Sequence, residues 1–168
     1  MDFADPSNWP PLPLVDEVFI ALGTTIAQAG SQAAFRAVDL DAVVAVAIAG
    51  RALGATQLGV VSAMAANRLS LVFYNRIKGQ MEEAVSALGY TTVVLARPSL
   101  LAGERTTTGQ TARRGEKLGL VAMAMFKPLI PVNYRAVAVG DVAQALIHQV
   151  QAGKPGRQVL LSGALQSR

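Results

Sequence analysis

The sequence predicts an α/β fold in which a parallel sheet is flanked by helices. Three observations carry this. Short apolar runs recur along the chain: VFIAL (18–22), LGVVS (58–62), TTVVLARP (91–98) and QVLLS (158–162). Runs of that length, rich in β-branched residues, read as buried strands. Between them lie longer stretches with apolar residues at helical spacing, several closed by a glycine. Strand and helix therefore alternate at short intervals, which implies βαβ units.

The elements follow in order. The first fourteen residues, MDFADPSNWPPLPL, contain four prolines and read as an extended arm (1–14), with one domain over 15–168. VFIAL ends in Gly-Thr-Thr. Residues 32–53 set Phe35, Val38, Ala42, Val46 and Leu53 at helical spacing, with Gly54 as a stop. LGVVS ends on Ser62. Residues 70–88 carry Phe73, Ile77, Met81, Val85 and Leu88 on one stripe ahead of Gly89. TTVVLARP closes at Pro98, and a polar loop, AGERTTTGQTARRG, leads to a helix-like stretch near 116–126. Its Met123, Met125 and Phe126 read as core packing, with an apolar substrate or a dimer contact as the alternative. Residues 140–152 read as a helix with Asp141 near its start and Gly153 after its end, and QVLLS is the last strand.

Composition narrows the chemistry. With 168 residues, 52% apolar and 15% charged, the chain can bury a real core and is not a disordered segment. The net charge of +4 is scattered apart from Arg113, Arg114 and Lys117, so nucleic-acid binding is not expected. There is no cysteine and one histidine, His148, on an expected surface helix. Thiolate and multi-histidine metal sites are thereby excluded, and no metal is expected. No apolar run reaches the ~18 residues of a membrane span. The N-terminus has no basic or apolar leader pattern, so the reading is a soluble cytoplasmic protein.

In open parallel sheets, ligands bind beyond the carboxyl ends of the strands. Those ends here are Leu22-Gly23-Thr24-Thr25, Ser62-Ala63-Met64 and Arg97-Pro98-Ser99, all rich in small or hydroxyl residues. Tyr74 and Lys78 are four apart on one helix and share its sheet-facing flank. A tyrosine near pKa 10 is a weak acid–base group at neutral pH, and a lysine cation beside it favours the phenolate. Ser62 would hold a carbonyl or hydroxyl, Tyr74 would pass the proton, and Lys78 would also reach ribose hydroxyls. Ordinary packing and surface roles are the competing reading for each residue.

The stretch VVSAMAAN…FYNRIKGQME, with LGTT before it and RPSLLAGER after it, resembles the short-chain dehydrogenase/reductase superfamily. The most similar subgroup is the atypical NAD(P)-binding proteins related to the Tat-interacting oxidoreductase. VAVGDVAQAL (137–146) is similar to a late segment of the extended members. The resemblance covers roughly residues 15–163 and implies a partial Rossmann-like, doubly wound fold. It implies Ser62, Tyr74 and Lys78 as the catalytic set, although Ala63 stands where a second serine often follows. It also implies that Leu22, Gly23, Thr24, Thr25, Lys78, Pro98, Ser99 and Leu100 line the cofactor, NADP or NAD.

The glycine-rich turn that cradles the pyrophosphate is not found: Gly23, Gly30, Gly50, Gly54 and Gly59 have the wrong spacing or context. The first βαβ unit is therefore expected to be absent, with about the first quarter of the family pattern. Cofactor binding is expected to be weak, since hydrogen bonds to charged groups contribute roughly 1.5–3 kcal/mol each. Three functions follow: a nicotinamide-dependent oxidoreductase acting on a small carbonyl or hydroxyl compound, a truncated or degenerate relative kept as a binding module, or a nucleotide-sugar epimerase or dehydratase. The strand at 18–22 would lack one neighbour, which leaves an edge for pairing with a second copy.

Overall fold

The computed structural model describes residues 9–102 and 131–166. The expected helix near 116–126, with Met123, Met125, Phe126 and the basic cluster, lies outside the described residues. The strands in chain order are β1 (Glu17–Ile20), β2 (Gln57–Val61), β3 (Thr92–Arg97), β4 (Leu101–Ala102), β5 (Val137–Ala138) and β6 (Gly156–Leu161). β1, β2, β3 and β6 stand side by side in that order as one parallel sheet, and β4 pairs with β5 in a small separate ladder. The register aligns Ile20, Val60, Leu95 and Val159 in a single row. The turns after β1, β2 and β3 therefore share one rim.

Helices cover both faces. They are α1 (Ile26–Ala29), α2 (Gln32–Arg36), a π-helical turn (Ala37–Ala42), α3 (Val43–Ala52), α4 (Phe73–Ser86), α5 (Val139–Gln151) and the short α6 (Ser162–Leu165). On one face Phe35, Leu40, Val43, Ile77, Met81 and Val85 pack over Ile20, Leu58, Val60, Val93 and Leu95. On the other, Val142, Leu146 and Val150 of α5 pack over Val94 and Ala96. Successive residues of β3 thus feed opposite cores, which is why that strand reads as an unbroken apolar run. Helix α5 comes so close to the sheet that a Cβ on Gly59 would meet Val150, Phe19 and Leu146 at 2.9–3.1 Å.

The expected α/β class and sheet are present, with two local differences. The single helix expected over 32–53 is interrupted by the π-helical turn, which turns Asp39 inward. The helix expected from residue 70 begins at Phe73. Ser70 holds the approach, its hydroxyl accepting from Val72 N at 3.1 Å and its carbonyl from Arg76 at 3.0 Å. The glycine stops have left-handed backbones: φ is 100° at Gly54, 77° at Gly89 and 63° at Gly153. Among the described residues β1 pairs only with β2. Beside that edge, Phe19, Leu101, Val139 and Ile147 line an apolar cleft of about 550 Å³ between β1 and α5.

The loop after β2 crosses α4 at Gly79. A Cβ there would lie 2.1 Å from Arg68 N and 2.3 Å from Asn67 C, and Asn67 N donates to the Asn75 carbonyl at 3.0 Å. Inside a helix, exchanging glycine for alanine ordinarily gains up to ~1 kcal/mol. Here the obstructing atoms are backbone, so Gly79→Ala is expected to destabilise by about 1–3 kcal/mol, as overpacking does. Urea unfolding followed by circular dichroism measures it, and a stabilised variant would contradict the close crossing.

Candidate active site

Helix α4 presents three polar residues along one flank: Tyr74, Lys78 and Glu82, each one turn after the last. Lys78 is 4% exposed and Glu82 1%, so both charges need partners inside the protein. They find different ones, and the flank divides into two clusters.

The first cluster lies by the end of β1. Asp39, fully buried on the π-helical turn, places Oδ1 2.7 Å from Lys78 Nζ. The contact is a charge pair without an aligned hydrogen bond. Asp39 Oδ2 accepts a hydrogen bond from Thr24 N at 2.8 Å. Gly23 borders the pair: a Cβ there would lie 3.3 Å from Asp39 Oδ1 and 3.7 Å from Lys78 Nζ. Tyr74 is half-buried, its ring 5.5 Å from that of Phe35. Burial first, and the Asp39 carboxylate second, raise the Tyr74 phenol above its ordinary value of 10.0. This reverses the expectation that Lys78 would lower it. The physical reasons are burial of the phenol first and then Asp39, which meets the lysine charge and adds a negative one.

The second cluster lies between β2, β3 and β6. Ser62 is buried, and its hydroxyl donates to Glu82 Oε1 at 2.6 Å. Arg97 binds the same carboxylate in a fork, Nε to Oε1 at 2.9 Å and Nη2 to Oε2 at 2.6 Å. Arg157 Nη2 reaches Oε2 at 2.8 Å. The structure thus brings Tyr74 and Lys78 beside Asp39 and gives Ser62 to Glu82. The expected grouping of Ser62 with Tyr74 and Lys78 at an open rim is corrected on this point, because a buried carboxylate claims the serine proton.

The other expected cofactor-lining residues lie on the common rim. Leu22 packs against the main core. Thr25 caps α1, its hydroxyl accepting from Gln28 N at 3.1 Å. Pro98 is buried and its carbonyl accepts from Met64 N at 3.2 Å. Ser99 is tied at both ends: its N–H donates to Ser162 Oγ and its hydroxyl to the Arg135 carbonyl, each at 2.7 Å. Leu100 is exposed. Sequence reasoning missed Asp39, Glu82 and Arg97 as members of the clusters. The signal for Asp39 was its position one turn after Phe35, an expected core residue, and the signal for Glu82 was its place one turn after Lys78. Among the described residues, no three His, Asp or Glu side chains converge as metal ligands, and no helix is long and apolar enough to cross a membrane.

A parallel sheet with helices on both faces, the turns after its strands gathered on one rim, defines a Rossmann-like α/β protein. Solved structures agree: RMD from Pseudomonas aeruginosa complexed with NADPH has a TM-score of 0.64 at 18% identity, over 97% of this chain and 66% of that one. The UDP-N-acetylglucosamine 4-epimerase of Bacillus cereus has a TM-score of 0.59 at 15% identity, over 89% and 59%. At such identities the likeness concerns the fold.

The chain belongs to the FMP52 family. It is 33% identical over 156 residues to the mitochondrial protein FMP52 of Candida albicans, covering 86% of this chain and 67% of that protein. FMP52-1 of Scheffersomyces stipitis is 39% identical over 90 residues, 54% of this chain and 40% of that protein. FMP52 of Eremothecium gossypii is 37% identical over 135 residues, 79% and 60%. The chain thus spans only 40% and 60% of the lengths of these last two relatives. It matches no family profile. All three relatives are named mitochondrial, which overturns the expected cytoplasmic location.

Proposed function

We propose that the chain forms the catalytic part of a mitochondrial, nicotinamide-dependent oxidoreductase acting on a carbonyl or hydroxyl group. The observation that carries this is the placement of Tyr74 and Lys78 with Asp39 beside Gly23 and Thr24, where a parallel sheet receives its ligands. The kinship with the Tat-interacting oxidoreductase subgroup rests on LGTT, the Tyr-x-x-x-Lys spacing and RPSLL. Gly23 fits the close approach of a cofactor, since the turn beside the buried Asp39–Lys78 pair carries no side chain there. Leu22, Thr24, Thr25, Pro98 and Leu100 border the same rim and would hold NADP or NAD. When bound, a reduced nicotinamide supplies hydride. Tyr74 would give its phenolic proton to the substrate oxygen as the carbonyl is reduced to an alcohol, and solvent would restore the phenol. Ser99, tied to Ser162 and Arg135, stiffens the turn rather than offering a free hydroxyl.

A second reading, a binding module without turnover, draws on the commitment of Ser62 to Glu82 and of Lys78 to Asp39. Calorimetric titration with NADPH and with NADH tests the cofactor assignment common to an enzyme. Saturable but weak binding is expected, since the sequence holds no glycine-rich turn for the pyrophosphate, and micromolar affinity would support the enzyme reading most strongly. Absence of binding at millimolar cofactor would overturn the oxidoreductase reading.

A further inference from the structure

We propose that the polar hollow beside α4 is a second ligand site, which takes a phosphate group on Arg68, Arg97 and Arg157 and lies apart from the rim given to the nicotinamide.

The hollow has a volume of about 350 Å³, and its walls include Arg68, Gly79, Glu82, Glu83, Arg97 and Arg157. Neither Tyr74 and Lys78 nor any rim residue from Leu22 to Thr25 borders it. Three separate segments supply the arginines. Arg97 ends β3, and Arg157 stands on β6. Arg68 arrives on the loop after β2, which lies directly on α4 where Gly79 has no side chain to hold it off. Among the described residues β6 pairs only with β3, so Arg157 stands at the sheet edge, where its side chain is half-exposed. A ligand can therefore enter from solvent.

The charges and donors select the ligand. Glu82 is saturated: its oxygens accept from Ser62, twice from Arg97 and once from Arg157. Its single negative charge faces two guanidinium cations, and one positive charge is left over. A guanidinium carries five N–H donors. Arg97 commits two of its nitrogens to Glu82 and Arg157 one, so both keep donors to spare. Arg68 meets Glu83 at 3.5 Å, with both side chains more than half exposed. Such a surface pair contributes little and is easily given up. Once Glu83 turns to water, three arginines face one buried carboxylate, and the surplus is two positive charges. A phosphate monoester carries close to two negative charges at neutral pH and three acceptor oxygens. Arginine matches those oxygens in pairs. A carboxylate would answer only half of the surplus. A bound phosphate would also join the loop after β2 to β3 and β6, so it should stabilise the folded chain.

The test is calorimetric titration of the full chain with inorganic phosphate and, separately, with glycerol 3-phosphate, at an ionic strength held constant with sodium chloride. Saturable binding is expected, with a Tm that rises as ligand is added. Tighter binding of the ester supports the site and makes a phosphorylated compound its ligand. Tighter binding of inorganic phosphate supports it with the free anion as ligand. Arg157→Gln should weaken binding about tenfold or more, since a hydrogen bond to a charged group is lost. Arg68→Gln should weaken it in the same sense and, as a surface change, decides alone if Arg157→Gln does not fold. Arg36→Gln should leave binding unchanged, because Arg36 pairs with Asp41 elsewhere on the surface. No saturable binding in the millimolar range would overturn the proposal. So would unchanged affinity in folded Arg157→Gln and Arg68→Gln, or an equal loss in Arg36→Gln, which would mean general attraction of anions to a basic protein.

Discussion

Glu82→Ala is expected to cost about 3–5 kcal/mol of stability, the range for breaking a buried ion pair by removing one partner. Glu82 is 1% exposed and accepts from Ser62, from both arms of the Arg97 fork and from Arg157. These donors come from the turn just after β2, from β3 and from β6, so one carboxylate on α4 ties the helix to three strands or their ends. Its removal leaves the Ser62 hydroxyl buried without its acceptor and Arg97 without its counter-charge. Arg97 is the stronger partner: its side chain is 21% exposed and its fork is bidentate, whereas Arg157 is 46% exposed and its share is screened by water. Glu82→Gln keeps an acceptor and the volume, and should lose less. Chemical unfolding of both variants measures this. A loss below ~1 kcal/mol for Glu82→Ala would mean the cluster behaves like a surface pair.

Much of the scaffold could be read in the sequence because it depends on local pattern. VVLA is an apolar run since the central parallel strand β3 is buried on both faces, and VFIAL keeps the pattern although Phe19 at the edge is exposed. Gly54, Gly89 and Gly153 could be read as helix stops since a left-handed backbone favours glycine. The common rim followed from parallel topology. What could not be read depends on contacts between distant segments. Asp39 sits in AVDLDA, where its place one turn after Phe35 hints at the core but its charge argues for the surface. Only the π-helical turn makes that choice. Glu82 sits in QMEEAV beside an ordinary solvent-facing Glu83, and its burial follows from two arginines on other strands. The expected lowering of the Tyr74 pKa failed because it counted the lysine on the same helix and omitted first the burial of the phenol and second the Asp39 carboxylate. Ser62 was placed correctly at the strand end, but its direction was set by Glu82.

Replacing Tyr74 by phenylalanine is the substitution with the largest expected effect on chemistry. It removes one hydroxyl and keeps the ring packed on Phe35, so folding should be little altered. The proton donor for the carbonyl oxygen would be gone, and general acid–base groups typically contribute 10²–10⁴-fold to rate. The rim proposed to hold the cofactor and the Asp39–Lys78 pair would stay in place, so any NADPH or NADH binding should persist. Binding and proton transfer are thereby separated in one protein. The direct measurement is kcat for oxidation of the reduced cofactor against a panel of small aldehydes and ketones, compared between the wild-type chain and Tyr74→Phe. The expected result is substrate-dependent turnover in the wild type, reduced by about 10²–10⁴-fold in the variant with cofactor affinity retained. An unchanged kcat in Tyr74→Phe would contradict the role given to Tyr74 and, with it, the proton-donating site built around Asp39 and Lys78.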